Sequence, residues 1–281
     1  GPNFAPKVGD ELNIIPAAAD FIINGKFIMI GGPSKTALTW NVNSLAVRLP
    51  QVLDWLAANP GVEVLGLQET KLSDDKFPAQ AFADAGWQVQ FFGQKTYNGV
   101  ALISRQPMRD AVRNIPGMDC DMARVIAATM DVPMAADAST VQPLRVVCAY
   151  FPNGQAPGSD KFAYKMRWLQ ALRAWLRQEL LQTPHLLLMG DFNITFDDAD
   201  VWDPEGLRET IHCTTEEREQ LQALVQLRLA DSLRLFDPPP KSYTWWDYRA
   251  MAFRRNRGMR IDHILVSDAL RPLVQGCHID K

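Results

Sequence analysis

The chain has 281 residues, 47% of them hydrophobic and 22% charged, with 17 Gly and 19 Pro, an ordinary globular composition that excludes disordered, collagen-like, coiled-coil and low-complexity classes. At roughly 150 residues per domain the length allows two domains, although a large α/β fold fills it as one, and a chain this long needs no disulfide or metal staple to fold. The net charge of −3 excludes a nucleic-acid partner only if it is evenly spread, because a polyanion responds to the local field around a site.

Cys120, Cys148, Cys213 and Cys277 form no CxxC pair, so neither a zinc site nor a redox motif is expected. With no secretory segment in view, the expected home is the reducing cytoplasm. The apolar stretch over 12–30 is broken by Pro16, Asp20, Asn24 and Lys26, too often to span a bilayer. Gly1-Pro2, with no Met before it, reads as the remnant of a protease cleavage.

In chain order, residues 1–36 stand apart: Phe21-Ile22-Ile23 and Lys26 to Ile30 flank Asn24-Gly25, a type I′ hairpin signal. This extension is expected to dock on the edge of the main domain or to form an appendage. A strand follows at 37–40, then a helix over 47–58 and strands at 62–67, 87–92 and 99–104. Strands at 124–130 and 145–150 flank a loop rich in Ala, Asp, Ser and Pro. The longest helix is expected over 164–181, with Met166, Leu169, Leu172, Leu176 and Leu180 on one face. Next comes an apolar strand at 185–189, which reads as buried on both faces, and then a helix over 216–229. Strands at 243–246 and 260–266 close the pattern. Residues 37–281 show no repeat and no linker, so one α/β domain is expected there.

Several strands stop abruptly in carboxylates and amides: Trp40-Asn41-Val42-Asn43, Leu67-Gln68-Glu69-Thr70-Lys71, Met189-Gly190-Asp191-Phe192-Asn193 and Arg260-Ile261-Asp262. In α/β folds ligand chemistry gathers where strands leave the core. Oxygen ligands without Cys or His suit a hard divalent cation, Mg²⁺ or Mn²⁺, which acts well on phosphate. Each motif alone is most simply a turn, a cap or a solvated strand end. Together they point to phosphodiester cleavage.

The ordered set Thr39-Trp40-Asn41-Val42-Asn43-Ser44-Leu45, Leu67-Gln68-Glu69-Thr70-Lys71, Gly93-Gln94-Lys95, Asn98-Gly99-Val100-Ala101, Tyr150-Phe151-Pro152-Asn153-Gly154, Met189 to Asn193, Trp246-Asp247-Tyr248-Arg249 and Asn256 to Asp262 resembles the exonuclease III/AP endonuclease family. The resemblance covers residues 37–281. It implies a four-layered α/β sandwich with two packed mixed β-sheets flanked by helices. The implied activity is that of a divalent-metal DNA-repair nuclease, a 3′–5′ exonuclease or AP endonuclease acting on duplex DNA at abasic sites or 3′ ends. By the same resemblance Glu69 is the metal carboxylate with Asn41 beside it, and Asp191 and Asn193 serve both metal and chemistry. Asp191 orients or deprotonates the attacking water or assists the leaving group, Tyr150 touches the scissile phosphate, and Asp262 completes the catalytic set. Asn43 and Arg124 lie along the DNA, and Trp245 lines an abasic pocket with Met259 near it. A monomer without a membrane partner is the expected state.

Relatives in that family end in a Ser-Asp-His strand whose His pairs with the residue matching Asp262, whereas this sequence stops at His278-Ile279-Asp280-Lys281. Two expectations follow: the sequence omits a C-terminal segment, or this form is impaired. His263 is expected to face away from Asp262 into the core, His185 to be structural, and His212 to lie in a polar loop. The segment from Arg249 to Arg260 holds Arg249, Arg254, Arg255, Arg257 and Arg260 and no acid, leaving −8 for the rest of the chain. It reads as a solvated loop or as a phosphate grip; Trp245, Trp246 and Tyr248 just upstream favour the grip, with Lys71 and Lys95 as further phosphate contacts. Trp168 and Trp175, seven apart on the long helix, read as core. The alternatives are a DNA-binding form with dead chemistry and a phosphatase or lipid phosphodiesterase on the same fold.

Overall fold

The computed structural model describes residues 26–30, 36–133 and 141–279. In chain order these form β1 (Lys26–Ile30), β2 (Thr36–Asn41), α1 (Leu45–Ala58), β3 (Val62–Gln68), α2 (Ala79–Asp84), β4 (Gln88–Phe92), β5 (Val100–Ser104), β6 (Met108–Arg113), β7 (Val125–Pro133) and β8 (Val141–Tyr150). There follow α3 (Asp160–Gln182), β9 (Leu186–Asp191), α4 (Thr215–Val225), β10 (Leu229–Asp231), β11 (Trp245–Trp246), β12 (Gly258–Met259), β13 (Asp262–Ser267) and β14 (Val274–Ile279). Two six-stranded sheets result, ordered β10-β13-β9-β8-β7-β6 and β14-β1-β2-β3-β5-β4, with β11 and β12 as a separate ribbon. Both large sheets are mixed: β8 runs parallel to β9 and β2 to β3, and the other pairs within them are antiparallel.

Alternation along the strands explains the layers. Val146, Cys148, Leu187 and Met189 point between the sheets and pack with Val64, Val100 and Leu102, while Val147, Ala149, Leu186 and Leu188 point outward against Trp168, Leu169, Leu172 and Leu176 of α3. On the far side, Leu65 and Leu67 meet Leu45, Val52 and Leu56 of α1. A strand covered on both faces has no polar side to present, which is why β9 reads as unbroken apolar sequence. The sheets approach closely at Gly66, where an added Cβ would come within 2.9 Å of the Met189 side chain.

α3 starts at Ser159, whose hydroxyl accepts the Phe162 N–H, with Asp160 in its first turn; cap and acid both suit a helix N-terminus. Trp168 and Trp175 are core residues, as expected. The helix anticipated over 216–229 stops at Val225; Arg228 takes a φ of 70° and Leu229 opens β10. The apolar period had carried that helix too far, because Leu229 is buried by strand pairing with Ser267. β1 pairs with β2 on one side and β14 on the other, whereas Phe21-Ile22-Ile23 and the Asn24-Gly25 turn lie outside the described residues. No described helix is long and apolar enough to cross a membrane.

Candidate active site

Strand register assembles the site. Tyr150 stands beside Asp191 across β8 and β9, and Asp191 stands beside Asp262 across β9 and β13. In the other sheet Asn41 pairs with Gln68, one residue before Glu69. The two sheet ends meet through one amide: Asn41 Nδ2 donates to Glu69 Oε1 at 2.8 Å and to Asp191 Oδ2 at 2.9 Å. Asp191 Oδ1 accepts the Asn193 N–H at 2.9 Å. Beneath this cluster Gln68 and Thr39 exchange hydrogen bonds in the sealed space between the sheets, so the base of the site has no unpaired amide.

Four of these residues sit in left-handed backbone: Asn43 (φ 48°), Glu69 (54°), Lys71 (56°) and Asn193 (52°). Such conformations cost a non-glycine residue about 1–3 kcal/mol and gather where side chains must be aimed. They turn the chain sharply as it leaves each strand, so consecutive residues point back over the sheet end.

Electrostatics follow from the crowding. Burial pushes the Asp191 carboxyl up to about 7, and the Glu69 charge adds to this; the Asn41 amide, the Asn193 N–H and the Lys165 ammonium work the other way. Burial also raises the Tyr150 hydroxyl well above its usual value, reinforced by Glu69 and Asp191, so it stays a hydrogen-bond donor. Lys71 Nζ lies 3.0 Å from Glu69 Oε2 and donates to Asn43 Oδ1 at 2.6 Å.

The donor set fits a hard divalent cation. The Glu69 and Asp191 oxygens converge on a single N–H-bearing atom, and all available donors are oxygens or amides. Among the described residues no three His, Cys, Asp or Glu side chains form a metal cluster. A cation that keeps waters and takes the rest of its shell from phosphate needs only one or two carboxylates.

The other expected residues divide. Asn193 joins the cluster through its backbone; its side chain is committed to Phe151 O (3.1 Å) and to Asn153 Nδ2 (3.3 Å). Asp262 is buried, with its N–H given to Thr244 Oγ1. The Arg124 guanidinium lies 5.1 Å over the Tyr150 ring. Lys95 is exposed on the loop whose Asn98 carbonyl accepts the Lys71 N–H. Trp245 is half-buried and packs with Met259.

Arg254, Arg255 and Arg257 are exposed, Arg257 stacking 4.8 Å over Trp202. Two arginines of that segment do not belong with them. Arg260, in the link between β12 and β13, is 1% exposed and ion-paired with Asp200 and Asp231, and its N–H also donates to Asp200 O at 2.9 Å; Arg249 is held by Asp247. Trp246 is likewise buried, its indole N–H on Asn256 Oδ1. Tyr248, 71% exposed, bridges to the site: its hydroxyl accepts from Asn43 Nδ2 at 2.9 Å.

Of the histidines, His263 is a core residue edge-on to Phe192 and Phe196 with Nε2 on Ile194 O, as its strand parity required. His212 does not lie in an open polar loop: it is buried, and its Nδ1–H donates to Asn193 O at 2.6 Å. That role, and those of Lys165, Asn153 and Glu217 beneath the same loop, left no local motif to read, since their partners are backbone carbonyls distant in sequence.

Comparison with known proteins agrees with this architecture. The model of the endonuclease/exonuclease/phosphatase family matches residues 38–281. Exodeoxyribonuclease III of Haemophilus influenzae is 34% identical over 242 residues, spanning 83% of this chain and 88% of that protein. Among solved structures, a 3′ phosphatase from Neisseria called NExo, bound to a product DNA hairpin, is 48% identical with a TM-score of 0.78, over 84% of this chain and 88% of the other. An AP endonuclease from Archaeoglobus fulgidus is 31% identical with a TM-score of 0.76, over the same shares. The chain belongs to the endonuclease/exonuclease/phosphatase family and is an exonuclease III-like, divalent-metal-dependent DNA-repair phosphodiesterase.

Proposed function

We propose that the chain hydrolyses terminal phosphates and phosphodiesters at the 3′ ends of duplex DNA, and phosphodiesters at abasic sites, as a cytoplasmic monomer with Mg²⁺ as its metal. The observation that carries this reading is the junction of Asn41, Glu69 and Asp191 at the shared end of two sheets, beside Tyr150 and Arg124. The exposed arginines 254, 255 and 257 follow Tyr248 in the chain, and Tyr248 is tied to the site through Asn43. Both supports suit a polyanion presented to a small reactive centre. The four free thiols suit a reducing compartment. The names of the similar proteins support 3′-end and abasic-site chemistry.

Glu69 and Asn41, with Asp191 behind them, would hold the cation, which supplies charge neutralisation at phosphate when bound. Asp191, fixed at Oδ1 by Asn193 and at Oδ2 by Asn41, orients the attacking water and takes its proton. Tyr150 and Arg124 donate to phosphate oxygens, and Asn193, its side chain held by Phe151 and Asn153, acts through the N–H that fixes Asp191. This is phosphoryl transfer by positioning and charge.

A panel of labelled duplexes tests it: one with a 3′-phosphate, one with a recessed 3′-hydroxyl end, and one with an internal abasic site. Release from these with Mg²⁺, and none from a phosphoinositide, is expected. Turnover of the phosphoinositide with all three duplexes left intact would overturn the proposal.

A further inference from the structure

We propose that Lys165 is a positioning residue whose buried ammonium sets the two active-site loops, after β8 and after β9, in place relative to each other. The inference rests on the nuclease reading of the site above. Lys165 is fully buried on α3, and each of its three N–H donors has a partner: Glu217 Oε1 at 2.5 Å, Asn193 O at 2.8 Å and Asn153 O at 3.2 Å. Asn153 lies three residues beyond Tyr150, and Asn193 two beyond Asp191. One cation therefore ties together the backbones that carry the phosphate-facing tyrosine and the water-facing carboxylate.

The surroundings hold the ammonium in turn. The second oxygen of Glu217 accepts from the Thr214 N–H and hydroxyl in a capping box at the start of α4. His212 Nδ1–H gives Asn193 O a second hydrogen bond. Gly154, at φ 88°, lets its loop close onto the lysine stem; a Cβ there would be 3.0 Å from the Lys165 side chain.

Stability alone does not account for this pair. Burying two charges costs several kcal/mol per ion, and an apolar pair of equal volume commonly serves a core as well or better. What an apolar pair cannot do is aim hydrogen bonds at two carbonyls on separate loops. The Arg145–Glu179 pair, also buried and tied to Asp110 O, sits midway along β8, five residues before Tyr150, and serves as the control.

The test is Lys165→Met combined with Glu217→Gln, which removes both charges, keeps side-chain volume and leaves Thr214 a partner. Hydrogen exchange is read together with single-turnover rates on 3′-phosphorylated duplex. Exchange at the Asn193 and Thr195 amides is expected to rise at least tenfold while that at Leu169 and Leu172 within α3 stays unchanged. The rate at saturating DNA is expected to fall at least tenfold with KM within about threefold. Glu217→Gln alone, which keeps both carbonyl bonds, is expected to retain the rate within about threefold, and Arg145→Met with Glu179→Gln to leave it unchanged. Wild-type exchange at Asn193 and Thr195 in the folded double variant would overturn the proposal. If that variant does not fold, the same exchange is read in Lys165→Gln with Glu217→Gln, which keeps a polar partner for the side chain at position 217 but loses the paired carbonyl bonds: a rise at Asn193 and Thr195 upholds the proposal and wild-type exchange there overturns it. A wild-type chain that releases nothing from DNA sinks the nuclease reading, and the exchange measurement still decides the positioning role.

Discussion

Asn41 is the residue on which the site turns. One amide nitrogen serves carboxylates from both sheets, and its oxygen accepts the Asn43 N–H at 3.0 Å, so the side chain has little freedom. Two carboxylates this close repel unless something positive lies between them, and the Asn41 amide N–H fills that place. Glu69 is the more accessible of the two, its side chain 20% exposed, and is the one that can meet a cation arriving from water. Glu69→Ala is expected to lower the cleavage rate at least about a hundredfold while duplex affinity stays within about threefold, as the proposed arginine grip lies elsewhere. Fluorescence anisotropy beside a rate measurement checks this. A tenfold loss of affinity with little loss of rate would place Glu69 on the DNA and off the metal.

At the scale of elements, an ion network holds together β10, the link between β12 and β13, and the loop after β9. Arg260 bonds Asp200 and Asp231, Arg234 bonds Asp197 and Asp200, and both guanidinium groups lie 5.6 Å over the Phe196 ring. Asp200→Ala strands Arg260 with one partner in a buried position and is expected to cost about 3–5 kcal/mol, read by urea unfolding. The same network sets an acid limit. Burial alone would raise the Asp197 carboxyl, but the hydrogen bonds from Arg234 hold it below the usual range. A carboxyl depressed in the folded state contributes stability above its unfolded value of about 3.9, and that contribution is lost as pH falls through the folded value. Asp197→Asn should therefore flatten the stability profile below about pH 4 and leave the loss above pH 5 independent of acidity; an unchanged acid limb would refute the link.

These elements also show what sequence reveals. β9 and α3 were legible because burial on two faces, or on one helical face, writes itself as apolar runs and stripes. β6 and β14 were not, because they lie at sheet edges and are largely exposed or half-buried, with no alternation to read. Within the site, Asn41, Glu69 and Asp191 were legible as polar breaks at strand ends, whereas Lys165 was hidden in an amphipathic helix, where a lysine is ordinarily solvated. Arg260 misled for the matching reason: its arginine-rich neighbours suggested a surface, but its partners, Asp200 and Asp231, are buried acids distant in sequence.

For the whole molecule, the net charge of −3 conceals an uneven distribution. The acids at 197, 200 and 231 are spent on Arg234 and Arg260, while Arg254, Arg255 and Arg257 remain exposed. Each phosphate contact contributes about 0.9 to the slope of log affinity against log salt. Neutralising the three together is expected to lower that slope by about 2–3 and to weaken binding alike across sequences. An unchanged slope would move the DNA path elsewhere.

The most direct test of the account is single-turnover cleavage of a 3′-phosphorylated duplex, with protein in excess so that slow chemistry is visible, by wild type and Asp191→Asn. The predicted result is 3′-end release by wild type with Mg²⁺, abolished by EDTA, restored by added metal, and at least about a hundredfold slower in Asp191→Asn. Release that persists in EDTA, or an Asp191→Asn variant as fast as wild type, would contradict it.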